Sequence, residues 1–180
     1  IKMPEEFKSA YNESIEGGWL STACKPEHGG MGVPLFFQTV TWAEIGTSTN
    51  MAMSVLPALS LGVYDVLTEH GEKELIDYFA SKLASGKWAG TMCLTEPHAG
   101  TDLGIITTKA VPQGDGAYRV TGTKIFITYG EHDMTENIIH LVLAKTPGAP
   151  EGTKGISLFL VPKYLPSDWE SGGVEGLSHD

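Results

Sequence analysis

Cysteine, basic charge and long apolar runs are all scarce in this chain. Only two cysteines occur in 180 residues, Cys24 and Cys93. They lie far apart and form no C-x-x-C, so a disulfide-stapled scaffold is excluded and they read as two reduced, buried thiols in a reducing compartment. Lys and Arg together number 12 against 22 Asp and Glu, for a formal net charge of −10. With no run of basic residues, that balance argues against nucleic acid and against anionic membrane surfaces. No apolar stretch is long enough to span a bilayer, and no signal peptide opens the chain. The first residue is Ile1 rather than Met, so the expectation is a piece of a longer protein.

Several familiar chemistries are missing too. Gly29-Gly30-Met31-Gly32 is glycine-rich, but no strand precedes it and Pro34 follows at once. A dinucleotide fingerprint needs strand, glycine turn and helix in that order. There is no phosphate-binding G-x-x-x-x-G-K-[ST], no nucleophile elbow and no H-E-x-x-H. The six histidines show no ligand spacing, and no metal site is expected.

What is present is an ordinary globular composition, 41% apolar, whose periodicity changes along the chain. The first half reads as helices: residues 4–17, 35–47, 48–69 and 72–84. Phe36, Val40, Ala43 and Ile45 supply apolar positions in the second, and Pro57 kinks the third or marks its first turn. After Lys87 come short runs rich in β-branched and aromatic residues: 88–94, 105–111, 117–121, 124–128, 138–144 and 155–161. Gly114-Asp115-Gly116 is a hairpin signal between two of them. The expected fold class is α+β: an N-terminal helical domain (1–89), then an antiparallel, barrel-like β domain (90–180) that stops before it closes.

Chemistry concentrates where the two patterns meet. Met92-Cys93-Leu94-Thr95-Glu96-Pro97-His98-Ala99-Gly100-Thr101-Asp102 joins an apolar run to a turn that offers hydroxyls and close backbone N–H groups to a phosphate or a polar ring edge. Asp102 is placed to hydrogen-bond following amides and hold that turn. Local chemistry alone favours a structural bend over a ligand site. Lys124-Ile125-Phe126-Ile127-Thr128, read as a strand, puts Phe126 and Thr128 on one face, a ring beside a hydroxyl. Together the two clusters point to a ligand that is flat at one end and phosphorylated at the other.

C-L-T-E-P-x-A-G-[ST]-D followed some twenty residues on by G-T-K-I-F-I-T resembles the acyl-CoA dehydrogenase family of flavoproteins. Residues 26–32 (P-E-H-G-G-M-G) resemble a loop of that family's N-terminal helical domain. Residues 154–161 (K-G-I-S-L-F-L-V) resemble a later strand of its middle β domain, so the resemblance covers the chain. Gly130-Glu131-His132-Asp133-Met134-Thr135-Glu136-Asn137 looks most like a bacterial branch that includes 3-methylmercaptopropionyl-CoA dehydrogenases.

The resemblance implies FAD as cofactor. Met92, Leu94 and Thr95 would line the flavin's pyrimidine side, with Thr95 donating to the ring. Gly100 and Thr101 would meet the diphosphate, and Thr101 would also touch the acyl-CoA substrate. Phe126 would pack on the isoalloxazine, with Ile127 beside it, and Thr128 would hydrogen-bond N5. It further implies α,β-dehydrogenation of an acyl-CoA thioester, an electron-transfer flavoprotein as acceptor, a homo-oligomer and a bacterial cytoplasmic setting. An acyl-CoA oxidase, or a non-enzymatic binding protein on the same fold, remains an alternative. The family's catalytic base lies in a C-terminal helical domain, so no catalytic residue is assigned and the chain alone is expected to be inactive. Three positions depart from the family: Tyr129 where Asn is common, His98 where a small residue is usual, and Thr101 for a frequent Ser.

Overall fold

A computed structural model describes residues 1–48 and 51–165, with side chains left undescribed at 45, 46, 48 and 51–54. These residues form two compact units. One comprises Ile1–Thr91 with Tyr129–Ile138, the other Met92–Thr128 with the described residues from Ile139 onward.

The first unit holds four helices: α1 (Glu5–Glu16), α2 (Leu35–Ser48), α3 (Met51–His70) and α4 (Lys73–Ala84). Pro4 precedes the first turn of α1, where Glu5 and Glu6 face the positive end of the helix dipole, and Gly17 caps its end. Tyr11 is buried in α1 and donates its hydroxyl to the Gly86 carbonyl at 2.9 Å, which ties α1 to the end of α4. Around Tyr11 pack Leu56, Ala89, Met134 and Ile138, with Met3, Phe7, Ile15, Leu20 and Tyr129 at the margin. Residues 129–138 are also held at the surface, where Lys8 reaches Asp133 at 2.7 Å. That hydrogen bond, with a second from the Met3 amide, holds the Asp133 carboxyl down at about 2.

α3 runs continuously through Pro57, which lies beyond its first turn. Cys24 and Cys93 are both buried and unbridged. Burial, reinforced by the Asp65 charge, pushes the Cys24 thiol up to about 12. α2 is inverted relative to the usual pattern. Phe36, Phe37 and Val40 are exposed, whereas Gln38 is 3% exposed. Ile45 lies outside the described side chains.

Strand β1 (Trp88–Cys93) carries the chain from the first unit into the second. β2 (Lys109–Pro112) and β3 (Tyr118–Thr121) form an antiparallel hairpin, and Gly114 and Gly116 take positive φ in its turn. β4 (Asn137–Lys145) pairs antiparallel with β5 (Ile156–Pro162) from Ile139↔Pro162 to Lys145↔Ile156. The strand order is β1–β4–β2–β3, with β5 also on β4.

Two expectations need correction. The sheet is not an antiparallel barrel: among the described residues it is open and mixed, because β2 meets β4 in parallel at Lys109↔Lys145. Residues 124–128 form no strand either. Phe126 has φ +57° and Tyr129 φ +53°, a left-handed backbone that interrupts extended pairing whatever the side-chain pattern.

Gly90 shows how closely β1 approaches α3. Its amide donates to Ser60 Oγ at 3.0 Å. A Cβ there would lie 2.6 Å from Val63 Cγ2 and 3.1 Å from Ser60 Cα. Gly90→Ala should therefore lower stability by ~1–3 kcal/mol through overpacking. An unchanged thermal melt would contradict this packing.

Candidate functional site

Every residue assigned above to a ligand lies in the second unit, on two segments that surround one buried carboxylate. After β1 the chain makes a tight turn in which Glu96 and Ala99 exchange backbone hydrogen bonds (N···O 2.9 and 3.0 Å). Asp102 then accepts from the Gly104 amide at 2.9 Å, closing the next turn as its side chain was expected to do. His98 Nε2 lies 3.2 Å from the Ile105 carbonyl and spans the loop between them.

The Glu96 side chain is only 1% exposed and points into that loop's base. Its Oε2 accepts from the amide and hydroxyl of Thr107, at 2.7 and 2.9 Å. Its Oε1 accepts from the amide and hydroxyl of Thr108, at 3.0 and 2.6 Å, and from Lys124 Nζ at 2.9 Å. Burial pushes the carboxyl pKa up. The Thr108 hydroxyl, the Thr107 amide, the Lys124 ammonium and the Thr108 amide together outweigh burial and hold it well below the usual carboxylate range. Gly122 makes room for this arrangement, since a Cβ there would sit 2.3 Å from Thr108 Oγ1.

Lys124 also donates to the Leu94 carbonyl at 3.0 Å, and the Ile125 amide donates to the Thr95 carbonyl at 2.9 Å. These bonds bring the 92–102 turn and the 124–128 segment side by side. Met92, Gly100, Thr101, Phe126 and Thr128 are exposed, while Leu94, Thr95 and Ile127 are half-buried. Among the described residues the hydroxyls of Thr95, Thr101 and Thr128 have no hydrogen-bond partner, so all three can serve a ligand. Phe126 is 89% exposed. The segment pair thus presents an exposed ring beside hydroxyls that no described residue uses.

The buried group at the centre was missed by reading the sequence for ligand chemistry. Glu96 figured only as a member of the 92–102 turn with no role of its own, and Thr107-Thr108 had none. A carboxylate in an apolar segment ahead of paired threonines and a lone lysine was the available signal.

The pH dependence has a definite sign. The folded pKa of Glu96 lies below its unfolded value of about 4.3. Its contribution to stability is therefore complete above that value, erodes as the pH falls below it, and is gone once the pH has fallen through the folded pKa. Glu96→Gln should flatten the acid limb of a stability-against-pH curve measured by denaturant unfolding between pH 7 and acid. A variant with the same acid slope as wild type would contradict the carboxylate's role.

Comparison with known proteins gives this geometry a setting. A family model described as "Acyl-CoA dehydrogenase, N-terminal domain" matches residues 2–87, and one described as "Acyl-CoA dehydrogenase, middle domain" matches 91–179. The chain is 48% identical over 165 residues to a 3-methylmercaptopropionyl-CoA dehydrogenase of Ruegeria pomeroyi, covering 92% of this chain and 28% of that protein. It is 40% identical over 187 residues to a butyryl-CoA dehydrogenase of Syntrophomonas wolfei, covering 98% and 30%. The chain thus spans under a third of these relatives' length. Among solved structures, an acyl-CoA dehydrogenase from Geobacillus kaustophilus superimposes with a TM-score of 0.73 at 29% identity, covering 91% of this chain and 41% of that one. A chain from a structure of the electron transferring flavoprotein of Acidaminococcus fermentans gives 0.75 at 28%, covering 87% and 40%. No helix among the described residues is long and apolar enough to cross a membrane. In sequence from end to end, and in mixed helix-and-sheet fold, the chain belongs to the acyl-CoA dehydrogenase family of flavoprotein oxidoreductases.

Proposed function

We propose that this chain is the N-terminal (1–89) and middle (90–180) part of an FAD-dependent enzyme that dehydrogenates an acyl-CoA thioester between its α and β carbons. The observation that carries the reading is the pairing of an exposed Phe126 ring with unpartnered hydroxyls on two segments pinned to each other. FAD, when bound, supplies a hydride acceptor. The chain's own residues bind and orient it: Phe126 offers a stacking face, with Ile127 and Met92 adding apolar contact beside it. Thr128 would offer its hydroxyl to the ring at N5, a donor suited to the site that accepts hydride. Leu94 and Thr95 border the ring's polar edge. Gly100 and Thr101 meet the diphosphate with a backbone amide and a hydroxyl, and Thr101 also contacts the thioester ligand. Asp102 keeps to the Gly104 amide, away from phosphate charge.

The catalytic base is assigned to a further domain, so the chain by itself is inactive in this reading. A homo-oligomer, an electron-transfer flavoprotein as acceptor and a bacterial cytoplasmic setting complete it. Two unbridged cysteines and the bacterial relatives support the setting. The relatives named above are dehydrogenases, which favours that reading over an oxidase.

FAD titration followed by flavin fluorescence and thermal shift tests the site. Phe126→Ala and Thr128→Val should each weaken binding about tenfold, corresponding to ~1.4 kcal/mol. Binding equal to wild type in both would overturn the assignment. With acyl-CoA, the protein carrying this chain should reduce an artificial dye acceptor; peroxide without a dye would instead mark an oxidase.

The strain at Phe126 generates a second expectation. Its φ of +57° suits glycine, and its exposed ring contributes little packing. Phe126→Gly should leave stability unchanged or raise it by up to about 1 kcal/mol while weakening FAD. A clear loss of stability in a denaturant melt would show that Phe126 serves the fold and not a ligand.

A further inference from the structure

Lys124 stands at a junction that the ligand reading leaves unused. Its side chain is 9% exposed, and its ammonium is held between the Glu96 carboxylate at 2.9 Å and the Leu94 carbonyl at 3.0 Å. The next residue, Ile125, gives its amide to the Thr95 carbonyl at 2.9 Å. The residue after that is Phe126, at φ +57°. Two consecutive anchors therefore immediately precede the strained residue, and both fasten to the 94–96 stretch.

The pair is poorly explained by stability alone. A buried ion pair gains little over apolar packing of the same volume, because each charge gives up its hydration. What it adds is registry, since here the ammonium is held by two fixed acceptors at once, the Glu96 carboxylate and the Leu94 carbonyl. Glu96 is equally constrained. Five donors converge on its two oxygens, so the carboxylate has no freedom to follow a shift of Lys124. A left-handed non-glycine residue persists only where its surroundings over-determine it, and here the surroundings are these anchors.

We propose that Lys124, clamped by Glu96 and the Leu94 carbonyl, is a positioning residue: it fixes the spacing between the 92–102 turn and the 124–128 segment, and so the aim of Phe126 and Thr128. The identity of the ligand rests on the flavin reading above; the clamp itself does not.

The test compares wild type, Lys124→Met and the double variant Glu96→Gln/Lys124→Met in the same chain. Three quantities are measured: the melting temperature, amide hydrogen exchange at Ile125, and FAD affinity together with the shift of the bound flavin's visible band. Lys124→Met leaves a buried carboxylate uncompensated and should melt well below wild type. The double variant removes that charge and should recover only part of the loss, because the amide NH2 that replaces one carboxylate oxygen meets threonine donors where they had an acceptor. Despite that recovery it should bind FAD about tenfold more weakly than wild type, with a diminished band shift and a faster-exchanging Ile125 amide. A purely structural pair predicts otherwise, with melting, exchange and flavin binding all returning together in the double variant; that result, or unchanged FAD affinity in Lys124→Met, overturns the proposal. If wild type itself takes up no FAD, the flavin reading falls, and the clamp is decided by Ile125 alone. Wild-type protection of that amide in the double variant would sink it, and lost protection would support it.

Discussion

A carboxylate that is removed from water and still ionised must be met by donors on every side, and around Glu96 this demand draws three stretches of chain together. Thr107 and Thr108 come from the approach to β2, Lys124 from the segment after β3, and Glu96 itself from the turn after β1. The charge holds these stretches together, because moving any donor away strands part of a desolvated anion. Gly122 follows from the same demand: only a residue without Cβ lets the chain pass beside Thr108 Oγ1. The residues assigned to a ligand all sit on stretches joined by this network, so their arrangement depends on a group that is itself buried.

Strain is the second consequence. Holding a non-glycine residue in left-handed backbone costs about 1–2 kcal/mol, and an exposed Phe126 recovers little of it by packing. An aromatic ring kept in solvent by a strained backbone is a poor arrangement for folding and a useful one for stacking on a planar ligand. The free hydroxyls of Thr95, Thr101 and Thr128 fit the same picture. Nothing among the described residues of the fold claims them, which leaves their donors available.

The helices were legible because their signals are local. Pro4 with two acidic residues announces the start of α1, and apolar spacing with Gly86 marks the extent of α4. The hairpin around Gly114 and Gly116 was legible for the same reason. Residues 124–128 were misread because β-branched and aromatic content records side-chain type, while a left-handed turn is imposed by anchors distant in sequence. The mixed sheet could not be read either, since the parallel bridge Lys109↔Lys145 joins residues 36 apart through no local pattern. α2 shows a related limit. Phe36 and Val40 recur at helical spacing, yet spacing says that a face is apolar and not which face is covered. For the site, the family pattern carried the residue types, whereas the Glu96 network appears only once Thr107, Thr108 and Lys124 are brought together in space.

Tyr129 shows how a departure from the family pattern is accommodated. The family commonly carries Asn at this position, and Asn is among the few residues that enter left-handed backbone readily. Tyr129 has φ +53° and lacks that advantage. Its ring, however, lies against the cluster built on Tyr11, Leu56 and Ile138, and meets the His132 ring edge-on with centroids 5.8 Å apart. The side chain is half-buried, and that burial raises its hydroxyl pKa. An aromatic side chain that gains this packing can offset a backbone penalty of about 1–2 kcal/mol. The chain passes from one unit to the other between Thr128 and Tyr129. Phe126 and Tyr129 thus carry the same backbone strain on either side of that passage with opposite compensation: Tyr129 is offset by the core it enters, whereas Phe126, 89% exposed, gains little packing among the described residues.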